Sequence, residues 1–294
     1  MPPIAPIVVP CKTVDELWAR LDPMCPLAGL ARNPSDLVFR GMSDSRWNLA
    51  PSVCREYRCE KRTPAQLIWK RDSLTTDQQV VAELRILQLF AEACDLLGLS
   101  LPIDSSGFRE RWILPNSQGL NDVAKNPAIW PPKELFDLLA MAQHHRVPTR
   151  LLDWTRRGYV AAYFAAEGAL GRGEGGDSFA VWVLDLERRG LFRDIEVVRV
   201  PGATSKNLAA QEGLFTLVRG TAARGQPNVD ARVEDVINDQ FSHDPNACPL
   251  WKLTLPRAAA SQLLDRCAKF GVSAATTFPG YDGAAKSTMA RVLA

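Results

Sequence analysis

Met141-Ala-Gln-His-His-Arg-Val-Pro-Thr-Arg-Leu-Leu-Asp-Trp-Thr155 runs directly into Tyr159-Val-Ala-Ala-Tyr-Phe-Ala-Ala166. Two His, two Arg, an Asp, a Trp and two Thr stand in one turn-rich segment, fixed by Pro148 and held between apolar runs. That density of polar groups is the composition of a site that positions a polar ligand. Upstream, the stripe Leu135, Leu138, Leu139 and Ala142 predicts a helix over 134–143, with Pro131 or Pro132 at its first turn. Downstream, Asp153 or Thr155 is placed to N-cap a helix that carries Tyr159/Tyr163 and Val160/Phe164 as four-residue pairs. That helix stops at the glycine cluster 168–176, which reads as a flexible, plain connection.

Working outward, Asp36-Leu-Val-Phe-Arg-Gly41 predicts a strand with Leu37 and Phe39 on one face and Val38 and Arg40 on the other. Arg40 ends an otherwise buried run, and Gly41 would let the backbone turn beside it. Thr13-Val-Asp-Glu16 has capping-box spacing and opens a helix through about residue 21. Residues 64–98 read as one helix, with Val80, Leu84, Leu87, Ala91 and Cys94 at three- and four-residue spacing; 100–132 reads as loop-rich, broken by prolines. Short β-rich runs follow at 179–184, 195–200, 214–218 and 250–255, then an amphipathic helix over 258–270 closed by Gly271. A mostly helical half thus precedes a β half. The reading is an α+β fold with a mixed or antiparallel core, a tail over 1–12, one domain over 13–290, and a helical elaboration over 64–135.

The 294 residues can bury a sizeable core, and 46% hydrophobic with 23% charged residues is ordinary globular composition. A net charge of +2 gives no footprint for general nucleic-acid or membrane binding. No stretch reaches the roughly 18 apolar residues of a membrane span, and the start lacks a signal-peptide pattern, so the expectation is a cytoplasmic protein. Seven scattered cysteines without a C-x-x-C pair predict buried reduced thiols rather than a disulfide or zinc framework. Adjacent His144-His145 point in different directions, so no metal site is expected. Walker-type and dinucleotide glycine motifs are missing, and no nucleophile elbow surrounds any Ser or Cys.

What remains is an Arg at a strand end, a hydroxyl-bearing segment and an aromatic helix. Arg40 is suited to hold a phosphate or carboxylate in a fork, with Thr149, Thr155 and helix-terminal amides complementing an anion. Its alternative is a structural pair with Asp153. Trp154 is either a stacking face for a base or nicotinamide ring or a core Trp. His144 is either a proton-transfer or ribose-contacting group or a core His bonded to the backbone.

These residues resemble the FRG domain family. Its opening pattern stands here as Phe39-Arg-Gly41, Trp47, Pro51-Ser52 and Arg55, and its central pattern as Gln143 to Ala166. A third pattern stands as Ala210-Gln-Glu-Gly-Leu-Phe-Thr216, and the closing one as Leu253 to Pro256, Gly271-Val272 and Phe278-Pro-Gly-Tyr-Asp-Gly283. His145 replaces the family's usual aromatic, and Arg146 its usual Gly; the latter change opposes an easy left-handed turn and adds a charge at the pocket. A looser similarity, in the order of motifs, is to mono-ADP-ribosyltransferases. It implies their split β core and NAD as substrate, with ADP-ribosyl transfer or NAD cleavage as the activity. The first role, holding the NAD phosphates or ribose, falls to Arg40; the second to Thr155 with Asp153; the third, stabilising the ribosyl centre, to Gln211 or Glu212. Ligand contacts are expected from Arg40, Gly41, His144, Thr149, Arg150, Asp153, Trp154 and Phe215. A toxin or phage-defence setting follows from this similarity alone. The rival readings are a non-catalytic module for a nucleotide or nucleic-acid end, and a protein-interaction domain.

Overall fold

Four β-rich segments of six to eight residues and three of four residues assemble a single mixed sheet. A computed structural model describes residues 6–24, 27, 34–57, 59–171, 176–202, 206–220, 222–229, 232–244 and 247–292. Among these residues the strands are β1 (Ile7–Pro10), β2 (Leu37–Met42), β3 (Leu152–Thr155), β4 (Ser178–Asp185), β5 (Ile195–Val198), β6 (Gly213–Val218) and β7 (Leu250–Pro256). Their order across the sheet is β1-β7-β4-β2-β3-β6-β5, with β1 parallel to β7 and the other neighbours antiparallel. Residues 7–10, read from sequence as tail, are thus an edge strand. Between strands lie α1 (Val14–Arg20), α2 (Pro64–Trp69), α3 (Thr76–Leu96), α4 (Ser106–Phe108), α5 (Gln118–Lys125), α6 (Phe136–His144), α7 (Gly158–Leu170), α8 (Lys206–Ala210) and α9 (Val233–Phe241), and after β7 come α10 (Ala260–Lys269), α11 (Ala274–Thr277) and α12 (Tyr281–Val292). The α+β class holds.

Local chemistry sets the ends of these elements. Thr13 accepts from Glu16 N–H (3.2 Å) while Glu16 accepts from Lys12 N–H (2.7 Å), which opens α1. The single helix expected over 64–98 is two, because Lys70 closes α2 in the left-handed conformation and a second Thr-x-x-Gln box, Thr75 and Gln78, opens α3. The loop-rich 100–132 stretch holds α4, a π-helical turn, α5 and a 3-10 turn. Neither Asp153 nor Thr155 caps α7: both lie in β3, and the residue before the helix is Arg157. Most of the glycine cluster, 172–175, falls outside the described residues.

Three apolar clusters hold the layers together. One packs Leu37, Phe39, Val181 and Leu253 under α7 and α10; another covers the opposite face through Val38, Trp182, Leu184 and the α9 residues Val233 and Ile237. The third lies between α3, α5 and α6 and the strand residues Val198, Phe215 and Leu217. The elaboration therefore shares a core with the β5–β6 end of the sheet. Its anchor is polar. Glu83 on α3, buried, accepts from Arg150 Nε (2.9 Å) and Nη2 (2.6 Å), from Gln79 (2.9 Å) and from the Trp130 indole (2.7 Å).

The sheet nearly parts at its middle. β2 and β3 share one paired position, Phe39 with Thr155, after which the strands diverge. Asp153 O accepts from Arg40 Nη1 at 2.7 Å, so a side chain bridges the strands where regular pairing has ended. On the other side of β2, Gly41 lies within the strand rather than in a turn. A Cβ there would stand 2.1 Å from Ala161 O and 2.7 Å from Ala165 N of α7. The strand and helix backbones touch, and nothing flexible lies between them to yield. Gly41→Ala is therefore expected to lower stability by about 3 kcal/mol or more, measured by denaturant unfolding. Stability within about 1 kcal/mol of the parent would show that α7 can move away freely.

Candidate functional site

A cleft of about 960 Å³ opens where β2 and β3 separate, between α6, α7 and the loop that leads into β6. Of the residues singled out from sequence, Arg40, Gly41, His144, Asp153, Trp154, Thr155, Gln211 and Phe215 line it. Thr149, Arg150 and Glu212 do not.

Each placement has a local cause. Arg40 continues the alternation of β2 and reaches across the gap, donating through Nη1 to Asp153 O and to Asp153 Oδ2 (3.4 Å). Its side chain is 14% exposed, and Nε is buried without a hydrogen-bond partner among the described residues. Asp153 alternates out of β3 between buried Leu152 and Trp154, and its carboxylate is 58% exposed. Its other oxygen accepts from Gln143 Nε2 at 2.7 Å. Thr149 is buried, its hydroxyl donating to Gln143 Oε1 and accepting from Leu151 N–H at 3.2 Å. Ser52 clamps the same residue, accepting from Thr149 N–H (2.9 Å) and donating to Thr149 O (3.1 Å). The Pro51-Ser52 and Pro148-Thr149 fragments thus meet as a structural pair behind the cleft.

Trp154 is a core residue whose indole donates to Thr216 Oγ1 at 2.8 Å across the β3–β6 pair. Thr155 is also committed: its hydroxyl donates to Gln211 O and accepts from Arg157 N–H at 3.0 Å. Gln211 and Glu212 form the turn before β6 instead of lying in an extended strand. Gln211 Nε2 donates to Thr277 O at 3.1 Å, whereas Glu212 takes a φ of 46° and points to solvent. His144, at the end of α6, is held below the ordinary His value by desolvation and then by the neighbouring His145, so it is neutral at pH 7. Arg146 occupies the left-handed region with φ 65°, a conformation that costs a non-glycine residue about 1–2 kcal/mol.

The sequence reading gave no ligand role to Gln143, Phe164, Glu167, Phe278 or Lys286, which also line the cleft. Phe164 and Phe278 meet edge to face at 5.6 Å, and Lys286 Nζ stands 4.1 Å above Phe278 and 4.0 Å from Glu167. The aromatic i+4 run of α7 and the Phe278-Pro279 motif are the signals that point to two of them. No group of His, Cys, Asp and Glu among the described residues is arranged to hold a metal ion. The thiols of Cys11, Cys94, Cys248 and Cys267 are buried and raised by desolvation, that of Cys267 to about 12. Cys54 is half-buried, Cys59 is exposed, and Cys25 lies outside the described residues.

One family description fits this segment. Residues 113–172 match the model of the FRG domain. The FRG match spans α5, α6, β3 and α7, and so includes Gln143, His144 and Asp153 while Arg40 and Gln211 lie outside it. It bears out the FRG resemblance over that stretch. No curated protein and no solved structure matches the chain. No helix among the described residues is long and apolar enough to cross a membrane.

Arg40 and Arg150, paired with an exposed and a buried carboxylate respectively, should answer differently to removal. Arg150→Ala strands a carboxylate that is 3% exposed, with an expected loss of 3–5 kcal/mol. Arg40→Ala leaves Asp153 free to rehydrate and should lower stability by about 1–2 kcal/mol. Thermal or denaturant unfolding of both variants checks the ranking, and a larger loss at Arg40 would refute it.

Proposed function

We propose that the cleft takes a nucleotide of the NAD class and that the protein transfers or cleaves its ADP-ribosyl group. The observation that carries this reading is Arg40, which lines the cleft while, among the described residues, its hydrogen bonds run from Nη1. A guanidinium with unused donors suits phosphate or diphosphate oxygens. The cleft volume lies within the roughly 300–1,000 Å³ of ligand pockets, and the half-buried Phe164 and Phe278 line it with apolar surface against which a planar ring can pack. The one-pair contact between β2 and β3 supports the likeness to the split β core of mono-ADP-ribosyltransferases.

In this reading Arg40 holds the diphosphate. The glycosidic C1′–N bond breaks, its electron pair passes to the pyridinium nitrogen, and nicotinamide leaves neutral. Asp153, fixed on both oxygens, stabilises the cationic ribosyl carbon. An acceptor hydroxyl or water then bonds to C1′ and gives its proton to neutral His144. Gln211 shapes the wall, and the sequence-based assignment of catalysis to Glu212 is dropped from the scheme because Glu212 points out of the cleft. That same position of Glu212 favours the second reading, in which the pocket binds a nucleotide or a nucleic-acid end without turnover.

Labelled NAD separates the two. Turnover is expected as nicotinamide release, with Arg40→Lys weakening binding by about ten- to a hundredfold and Glu212→Gln unchanged. Because desolvation and His145 lower the His144 value from 6.5, the fall of kcat at acid pH, as the base is protonated, should have its midpoint below pH 6.5. Binding without release would favour the second reading; no binding of NAD or ADP-ribose, or loss of turnover in Glu212→Gln, would overturn the proposal.

A further inference from the structure

Gln143 occupies the joint between α6 and the parted strands, and its hydrogen bonds leave it one orientation. Thr149 Oγ1 accepts from Leu151 N–H, so its own proton is available for Gln143 Oε1. The amide nitrogen is thereby turned to Asp153 Oδ1 at 2.7 Å. Asp153 receives Gln143 on one carboxylate oxygen and Arg40 Nη1 on the other, and its main-chain oxygen receives Arg40 as well. A chain of directed bonds therefore runs from a buried Thr to the cleft arginine. Each of these bonds has a fixed donor and a fixed acceptor, so reversing one member breaks the polarity of the whole.

We propose that Gln143 is the positioning residue of the cleft: it holds Asp153, and through it the Arg40 guanidinium, in the orientation presented to an anionic ligand. The role rests on the reading of Arg40 as the ligand-holding group, but the orientation of Arg40 is observable without a ligand. Other charged or titratable groups lining the cleft are Arg55, His144, His145 and Arg146, with Glu167 from α7 and Asp282 and Lys286 from α12. All remain in the variants below, so the parent protein controls for their titration.

The experiment follows the Arg40 Nε–H signal by nitrogen-15 NMR, assigned by its disappearance in Arg40→Lys. A buried Nε–H gives a sharp, slowly exchanging signal in the parent at pH 7.5 and at pH 5. In Gln143→Ala the signal should broaden or vanish, and ADP-ribose affinity should fall roughly tenfold or more. Gln143→Glu retains the acceptor for Thr149 but sets two carboxylates against each other. Its signal should be lost at pH 7.5 and return toward about pH 5, where the pair shares one proton and a donor to Asp153 is restored. A residue that merely fills space predicts no such recovery. An unchanged Arg40 signal in Gln143→Ala, or identical behaviour of Gln143→Glu at the two pH values, overturns the role. If the Arg40 signal responds as expected while the parent binds no ADP-ribose, the positioning stands and the nucleotide reading falls.

Discussion

The arrangement depends on one carboxylate that has no water to turn to. Glu83 is 3% exposed at its side chain and lies against Arg150 in a two-pronged contact. Charge at that depth is tolerated only with its lone pairs filled, and Gln79 and Trp130 complete the set. The consequence is positional. Arg150 stands between Thr149 and β3, so its tether to α3 draws the back of the polar segment onto the helical layer. Ser52 holds the neighbouring Thr149. With that side fixed, the alternation of β3 turns Asp153 the other way, into the cleft.

The cleft itself comes from an interrupted ladder. Strands that pair fully leave no room between them, and β2 and β3 pair at one position. Two contacts keep the gap from collapsing or widening. Gly41 lets α7 lie directly on β2, and Arg40 spans to Asp153 O. Arg146 adds left-handed strain beside the opening, a conformation that the sequence reading expected Arg to oppose. The chain keeps a charged side chain there at an energetic cost.

How much of this was legible in sequence follows from the range of each interaction. β2, β4 and β7 were readable because a run of six or more residues rich in apolar and β-branched side chains is a local property. β3 was not: four residues, two of them polar, look like a turn until Phe215 and Thr216 lie beside them. The break between α2 and α3 was written in two Thr-x-x-Gln boxes and the polar stretch 70–73, but the helical spacing that starts at Val80 was extended back across it. At the site, Arg40 drew notice as a charged residue ending a buried run, and the 143–155 segment through its polar density. Arg150 was misplaced for the same reason, since its partner Glu83 lies 67 residues away on a helix that reads as scaffold. The choice between Gln211 and Glu212 turned on a positive φ that no composition reveals.

Chemical-shift mapping with ADP-ribose tests the central claim, that the parted strands form a nucleotide site built on Arg40 and Asp153. Saturable shifts are expected at residues 39–42, 143–146, 153–155, 164–168, 207–215 and 278–286, which line the cleft, with the surroundings of Glu83 and Arg150 unmoved. No saturable shifts, or shifts centred on Glu83 and Arg150, would contradict that claim.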